Sequence, residues 1–232
     1  MPKFLAFDTS TEHLSIAVQH GDALFAHSGA GGAQSSTTLL PLVLQLLGEA
    51  GLTLAELDAI AFGRGPGSFT GLRTACAVAQ GLGFGAGVRL LPVDTLQAVA
   101  EAAHRRFGAT RVVAVLDARM DQVYAAQYTF DGSPADSEAL LLAPEQLVVP
   151  GGFALAGNAF TAYGDRLSAA TARHVVLPTA EAMLRLAPGL LAAGRSVAPA
   201  DALPLYVRDK VAQTTDERAA LKAGTAIATP SA

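Results

Sequence analysis

The chain has 232 residues, of which 51 % are hydrophobic and only 16 % charged, so it holds ample material for a core and does not read as a disordered segment. Sixteen Lys and Arg against 20 Asp and Glu leave a net charge of −4, which excludes a chain-wide basic footprint for a nucleic-acid backbone. Cys76 is the one cysteine and has no partner for an internal disulfide, which suits a reducing compartment.

Asp8 interrupts the N-terminal apolar run before an export-signal core could form. Residues 75–88, the longest apolar stretch, contain Gln80 and four glycines and fall short of the roughly 20 residues that span a bilayer. A cytoplasmic location is expected.

Residues 4–7 form a short apolar run, the polar turn Asp8-Thr9-Ser10-Thr11 follows, and residues 14–18 make a second run. Gly21-Asp22 marks a tight hairpin into residues 23–26, so three strands open the chain. Leucines at helical spacing predict a helix over 35–48, residues 59–62 read as a buried strand, and residues 71–87 as a glycine-rich helix. Another strand is expected at 90–93, after which Asp94 or Thr95 can cap a helix running to about Phe107.

Residues 111–117 again read as a buried strand ending in an aspartate, with strands at 123–130 and 139–142 around the turn signal Gly132-Ser133-Pro134. Helical spacing returns at 181–193, with a break expected at Pro188-Gly189. Each half opens with strand, acid, strand, turn, strand, which suggests an internal duplication with its boundary near Gly108. The expected organisation is a first lobe over 1–107, a second over 108–212 and a polar, partly mobile tail over 213–232.

Between the strand at 59–62 and the next helix lies Gly63-Arg64-Gly65-Pro66-Gly67-Ser68-Phe69-Thr70-Gly71-Leu72-Arg73. A glycine-rich loop before a helix suits an anion, but there is no Walker lysine, and Thr70 stands where a dinucleotide fingerprint has glycine. The alternative is a tight connection that brings the helix close to its strand. Asp8 and Asp117 occupy matching places and suit a water on nucleotide-bound magnesium; they equally suit turn capping. The five histidines are scattered, no Gly-x-Ser-x-Gly elbow occurs, and Cys76 lies mid-helix without a visible base, so neither metal nor nucleophilic catalysis is expected.

Stepping 100° per residue along the first helix, Leu39, Leu40, Leu42, Val43, Leu44, Leu46 and Leu47 fill an arc about 200° wide, about twice a core-facing stripe. In the second helix Gly71, Ala75, Ala79, Gly83 and Gly87 form a ridge of small side chains over which another helix can approach. These residues are either covered by the chain's own fold or form a helical docking surface.

The runs Phe7-Asp8-Thr9-Ser10-Thr11, Gly65-Pro66-Gly67-Ser68-Phe69-Thr70-Gly71-Leu72-Arg73, Asp117-Ala118-Arg119-Met120-Asp121-Gln122-Val123-Tyr124 and Pro204-Leu205-Tyr206-Val207-Arg208 together resemble the bacterial TsaB family, also called YeaZ, from residue 4 to about 211. The resemblance implies an α/β chain with a two-lobed actin-like ATPase fold, a duplicated ribonuclease H-like unit. It implies a non-catalytic dimerisation subunit for threonylcarbamoyladenosine modification of tRNA, docking helix to helix on the catalytic paralogue TsaD. The ATPase subunit TsaE would join the pair, tRNA would be met only indirectly, and a homodimer would form when the chain is alone.

On this reading the partner-binding residues are Leu39, Leu40, Leu42, Val43, Leu46, Leu47, Gly71, Ala75, Ala79 and Gly83, and Ala79→Arg would abolish docking. The paralogue's metal-binding His-x-x-x-His corresponds to Thr95 and Val99, neither of which is a ligand. Actin-like kinases place a glycine after the second-lobe aspartate, whereas Asp117 precedes Ala118-Arg119. No metal or resident cofactor is therefore expected, beyond weak or junctional ATP or ADP near Asp8, Ser10 and Asp117. Ser35-Ser36 replaces a family His-Ser, so no histidine contact carries over there. The rivals are a free-standing actin-like ATPase or phosphotransferase and, from older descriptions of the wider family, a protease.

Overall fold

A computed structural model describes residues 1–130 and 138–208. The expected turn at Gly132-Ser133-Pro134 and the tail over 213–232 lie outside the described residues.

In the first lobe β1 (Lys3–Asp8), β2 (His13–His20) and β3 (Ala23–Ala30) form an antiparallel meander. After α1 (Ser35–Glu49), β4 (Ala59–Gly65) joins β1 in parallel; after α2 (Phe69–Ala86), β5 (Leu90–Asp94) joins β4. The sheet order is β3-β2-β1-β4-β5. β3 runs four residues beyond the expected 23–26 because it is an exposed edge strand. Its length is set by pairing with β2 rather than by any apolar alternation.

Helix α3 (Thr95–Phe107) leads to the second lobe, where the plan repeats. The antiparallel strands β6 (Arg111–Arg119), β7 (Gln122–Thr129) and β8 (Leu140–Leu142) are followed by β9 (Ala154–Gly157), α4 (Phe160–Tyr163), β10 (Arg173–Val175) and α5 (Ala180–Ala192). β9 and β10 add in parallel on the other side of β6, giving β8-β7-β6-β9-β10. Counted within each lobe, both sheets therefore have the order 3-2-1-4-5, and the chain has the two-lobed actin-like fold. Gly87 and Gly108 close α2 and α3 in the left-handed conformation (φ 70° and 69°), where an L side chain would be strained.

The sheets end at Asp94 and begin again at Arg111, on either side of Gly108, but the helices are divided differently. Leu39, Val43, Leu46 and Leu47 of α1 and Ala75, Cys76, Ala79 and Leu82 of α2 pack on one face of the first sheet, against Leu5, Phe7, Leu14 and Ile16. The opposite face, with Phe4, Ala6, Ala17 and Ala61, is covered by Met183, Leu184 and Ala187 of α5. Helix α3 instead lays Leu96, Val99, Ala100 and Ala103 on Val112, Ala114 and Leu116 of the second sheet. The lobes have thus exchanged a helix each. Arg185 of α5 meets Glu101 of α3 at 2.8 Å between them. Ser15 of β2 fixes the start of α5 by accepting the Ala180 N–H at 2.8 Å.

Two local expectations are corrected. α5 is continuous through Pro188, which lies on its exposed side, while the buried residues Met183, Leu184 and Ala187 anchor the helix on the first sheet. Asp94 stands at the N-cap of α3 but makes no cap bond, because Arg64 takes its Oδ1 at 2.5 Å.

Candidate functional site

The two lobes face each other across a cavity of about 470 Å³. Its walls come from four segments: the β1–β2 turn (10–12), the glycine loop and start of α2 (67–69 and Leu72), the β6–β7 turn (116–120) and the late segment 205–208. Tyr124 and Asn158 complete the second-lobe wall.

Asp8 ends β1 but does not reach this cavity. It is 1 % exposed, and its Oδ1 accepts the Ser10 N–H (2.9 Å) and the Ser10 hydroxyl (2.7 Å). Oδ2 is buried without a hydrogen-bond partner. Burial pushes the carboxyl up to about 6, against the two Ser10 bonds that pull it down. Space for Oδ2 exists because residue 63 is glycine: a Cβ there would lie 1.8 Å from it.

The same packing explains the rest of the glycine loop. A Cβ on Gly71 would sit 1.8 Å from the Thr9 carbonyl oxygen, the Thr9 hydroxyl donates to the Gly71 carbonyl at 2.7 Å, and the Ser68 N–H donates to the Ser10 carbonyl at 2.7 Å. The loop is a tight connection that clamps the β1–β2 turn to the start of α2. Of the two readings open from the sequence, the structure supports this one, since its glycines are used against the chain itself.

Asp117 does line the cavity. Its backbone N–H donates to Asn158 Oδ1 (2.9 Å), and its Oδ1 accepts the Arg119 N–H (2.7 Å) and the Tyr163 hydroxyl (2.8 Å). Arg119 pairs with Oδ2 at 3.0 Å. Tyr163 is pushed up to about 12, first by burial and then by its bond to Asp117. Arg119, Met120 and Asp121 all have left-handed backbone (φ 60°, 54° and 61°), an unusual run for side chains with a Cβ. Asp8 and Asp117 are turn-capping residues in this structure, each holding the amide two positions on.

Of the residues expected to bind a partner, Leu39, Val43, Leu46 and Leu47 are buried in the first-lobe core, and Gly71, Ala75, Ala79 and Gly83 are buried on the inner side of α2. A Cβ on Gly83 would meet Leu90 and Pro199 at 2.9 Å. The small-residue ridge is filled by this chain, so these eight cannot offer a free docking face, and Ala79→Arg would disrupt the fold. Leu40, 42 % exposed, and the half-buried Leu42 do reach the surface. Outside the expected partner-binding set, the outward faces carry Leu44 (52 %) of α1, which belongs to the wide apolar arc, and Phe84 (64 %) of α2, with Ala77 and Gly81 also exposed along α2. The sequence signal for that face is the apolar residues left over once the inward stripe is filled.

Among the described residues no group of three or more His, Cys, Asp or Glu is placed to hold a metal, and no helix is long and apolar enough to cross a membrane. Cys76 is buried and donates its Sγ–H to the Ala202 carbonyl at 3.3 Å. Burial raises its thiol above the ordinary range, which disfavours the nucleophilic thiolate.

The family model described as TsaD, tRNA N6-adenosine threonylcarbamoyltransferase, matches residues 31–156. The tRNA threonylcarbamoyladenosine biosynthesis protein TsaB of Escherichia coli is 37 % identical over 222 residues, spanning 90 % of this chain and 96 % of the relative. The protein of the same name from Haemophilus influenzae is 34 % identical over 223 residues, spanning 89 % and 94 %. Among solved structures, YeaZ from Pseudomonas aeruginosa superposes with a TM-score of 0.83 at 40 % identity, over 89 % of this chain and 100 % of that one. A second structure, described as an uncharacterized protein with similarity to peptidase YEAZ from Pseudomonas aeruginosa, gives a TM-score of 0.84 at 40 % identity, over 90 % and 100 %.

Proposed function

The chain belongs to the TsaB family of tRNA threonylcarbamoyladenosine biosynthesis proteins, and from that premise we propose that it is a non-catalytic scaffold subunit that binds and supports the catalytic paralogue TsaD in the cytoplasm. The observation that carries this reading is the exposure of apolar side chains on both helices of the α1–α2 layer, Leu40 and Leu44 on α1 and Phe84 on α2, the last on one helix face with the exposed Ala77 and Gly81. Apolar side chains next to small ones suit a partner helix, which can approach closely and bury them. A second copy of the chain is the alternative occupant when TsaD is absent. TsaE and tRNA then belong to the assembly rather than to this chain's own contacts.

The site chemistry supports a non-catalytic role. In each lobe the amide after the first strand that could face a phosphate is already bonded to the preceding aspartate, Ser10 to Asp8 and Arg119 to Asp117. Neither turn is left as an open anion nest. Cys76 is held against Ala202, so a thiol-peptidase reading gains nothing from it.

The test is a Leu44→Arg/Ala77→Arg variant, both positions being exposed. It is expected to keep the wild-type circular dichroism spectrum while losing co-purification with TsaD and threonylcarbamoyladenosine formation in a reconstituted tRNA assay. Undiminished co-purification refutes the surface. The free-standing ATPase or phosphotransferase reading draws on the cavity and Asp117, and calorimetry with ATP and magnesium separates the two: tight binding with turnover by the isolated chain would overturn the scaffold reading.

A further inference from the structure

The late segment 202–208 crosses from one lobe to the other. It leaves the edge of the first sheet, where Val197 and Leu90 exchange N–H···O bonds (2.8 and 3.1 Å). It then runs along α2: the Ala202 carbonyl accepts from Cys76 (3.3 Å) and Gln80 (3.0 Å), and the Leu205 N–H donates to the Arg64 carbonyl at 2.7 Å. Tyr206 packs against Phe69 with tilted rings (centroids 5.4 Å apart) and accepts from Arg73 at 3.1 Å. One residue later the contacts change lobe, where Val207 packs against the second-lobe core. Arg208 Nη2 donates to the Ala118 carbonyl (3.0 Å), the Arg119 carbonyl (3.3 Å) and Gln122 Oε1 (2.8 Å) on the β6–β7 turn.

We propose that residues 202–208 are an interlobe strap, with Arg208 as its clasp, that fixes how far the cavity between the lobes opens. Residues 205–208 wall the cavity, so the strap lies across the space it limits. The lobes are also joined by the exchanged helices α3 and α5, which pack on each other, and we place the hinge there. The two ends of the strap differ in strength. The first-lobe end is a series of backbone and ring contacts over several residues. Among the described residues the second-lobe end is the partly buried Val207 against the second-lobe core and one guanidinium, which also meets Met120 Sδ but leaves its buried Nε without an acceptor, gripping a turn of three consecutive left-handed residues. An under-satisfied charge on a strained turn is the weaker end, so release starts at Arg208.

The inference goes beyond the docking role and is tested on the isolated full chain, without TsaD. Spin labels are placed at Thr70→Cys and Val148→Cys, both exposed, with buried Cys76 left in place, and the distance is read by pulsed electron spin resonance. The wild-type background is expected to give one narrow distribution. Arg208→Ala and Leu205→Pro, which removes the N–H given to Arg64, should each shift it by several ångströms and broaden it. The double variant should open no further than either single one, since a tether cut twice is still only cut. Arg208→Lys, which keeps the charge but not the fork, should open like Arg208→Ala. Exchange of the Leu205 amide should also rise about tenfold or more in Arg208→Ala, although that bond is in the other lobe. A folded Arg208→Ala chain with the wild-type distance and Leu205 exchange overturns the proposal, as do additive shifts in the double variant.

Discussion

The two lobes carry an aspartate at the end of the same topological strand and hold it in opposite ways. Asp8 is sealed behind Ser10, with no cation, one unpaired oxygen and a glycine removed of its side chain to make room. Asp117 borders the cavity and is wired to Arg119, Tyr163 and, through its backbone, Asn158. The first turn is clamped by backbone contact with the Gly63–Gly71 region; the second is held by side chains. Duplication supplied the place, and the neighbours decided the electrostatics. A first-lobe carboxylate kept this dry and uncompensated is poorly suited to holding a solvated magnesium, whose site needs open oxygen ligands.

This contrast can be broken most severely at Gly71. Gly71→Ala forces a Cβ to within 1.8 Å of the Thr9 carbonyl unless the backbone moves. It is expected to cost more than about 3 kcal/mol, read as a drop in the urea midpoint.

A smaller effect of opposite sign in the two lobes follows from one substitution made twice. The folded chain keeps the Asp8 proton up to about pH 6, whereas the unfolded chain loses it near the ordinary carboxyl value of 3.8. The native state therefore binds more protons across that window, and this group's contribution to stability falls as pH rises through it, by up to about 3 kcal/mol. Asp8→Asn should raise stability at pH 7.5 by about 1 kcal/mol, the buried amide offsetting part of the gain, and should remove the fall between about pH 4 and 6. Asp117→Asn should instead lose about 0.5–1 kcal/mol at the same pH, because it gives up the Arg119 pair. Chemical denaturation across pH reads both, and equal signs would sink the contrast. Tyr163→Phe, which deletes the hydroxyl that donates to Asp117 and the Gln122 carbonyl, should cost a similar amount, about 1 kcal/mol, by thermal unfolding.

Much of the fold is legible in the chain because its strands are continuous buried runs and its helices have leucines at regular spacing. Residues 59–62 and 111–117 announce central strands, and the matching aspartates reveal the duplication. What the pattern hides is long-range. Nothing in the spacing of α3 tells that Leu96 and Val99 leave their own lobe, or that Met183 and Leu184 return to the first. The full ridge on α2 is visible as a ridge, but whether Ala75 and Ala79 face the core or a partner depends on what fills the groove, and β4 fills it, with Leu90 and Pro199 closing over Gly83. Asp117 stands out from its place at a strand end, whereas its partners, the buried Tyr163 and the cavity-lining Asn158, carry no local signal. Arg208 lies in a recognisable motif, yet its grip on a turn about ninety residues earlier is a product of topology alone.

The exchanged helices have a consequence for the order in which the chain is made. When residues 1–94 have left the ribosome, the first sheet can form and be covered on its α1–α2 face, but Phe4, Ala6, Ala17 and Ala61 still lack the lid that residues 180–192 provide. At about 5–20 residues per second, that apolar face waits roughly 4–20 s for its cover. Helix α3 is made early and waits likewise for a sheet that does not yet exist. The nascent half-protein is thus a natural client for a holding chaperone, and release at any point before α5 emerges yields a sheet with one greasy side rather than a small finished domain.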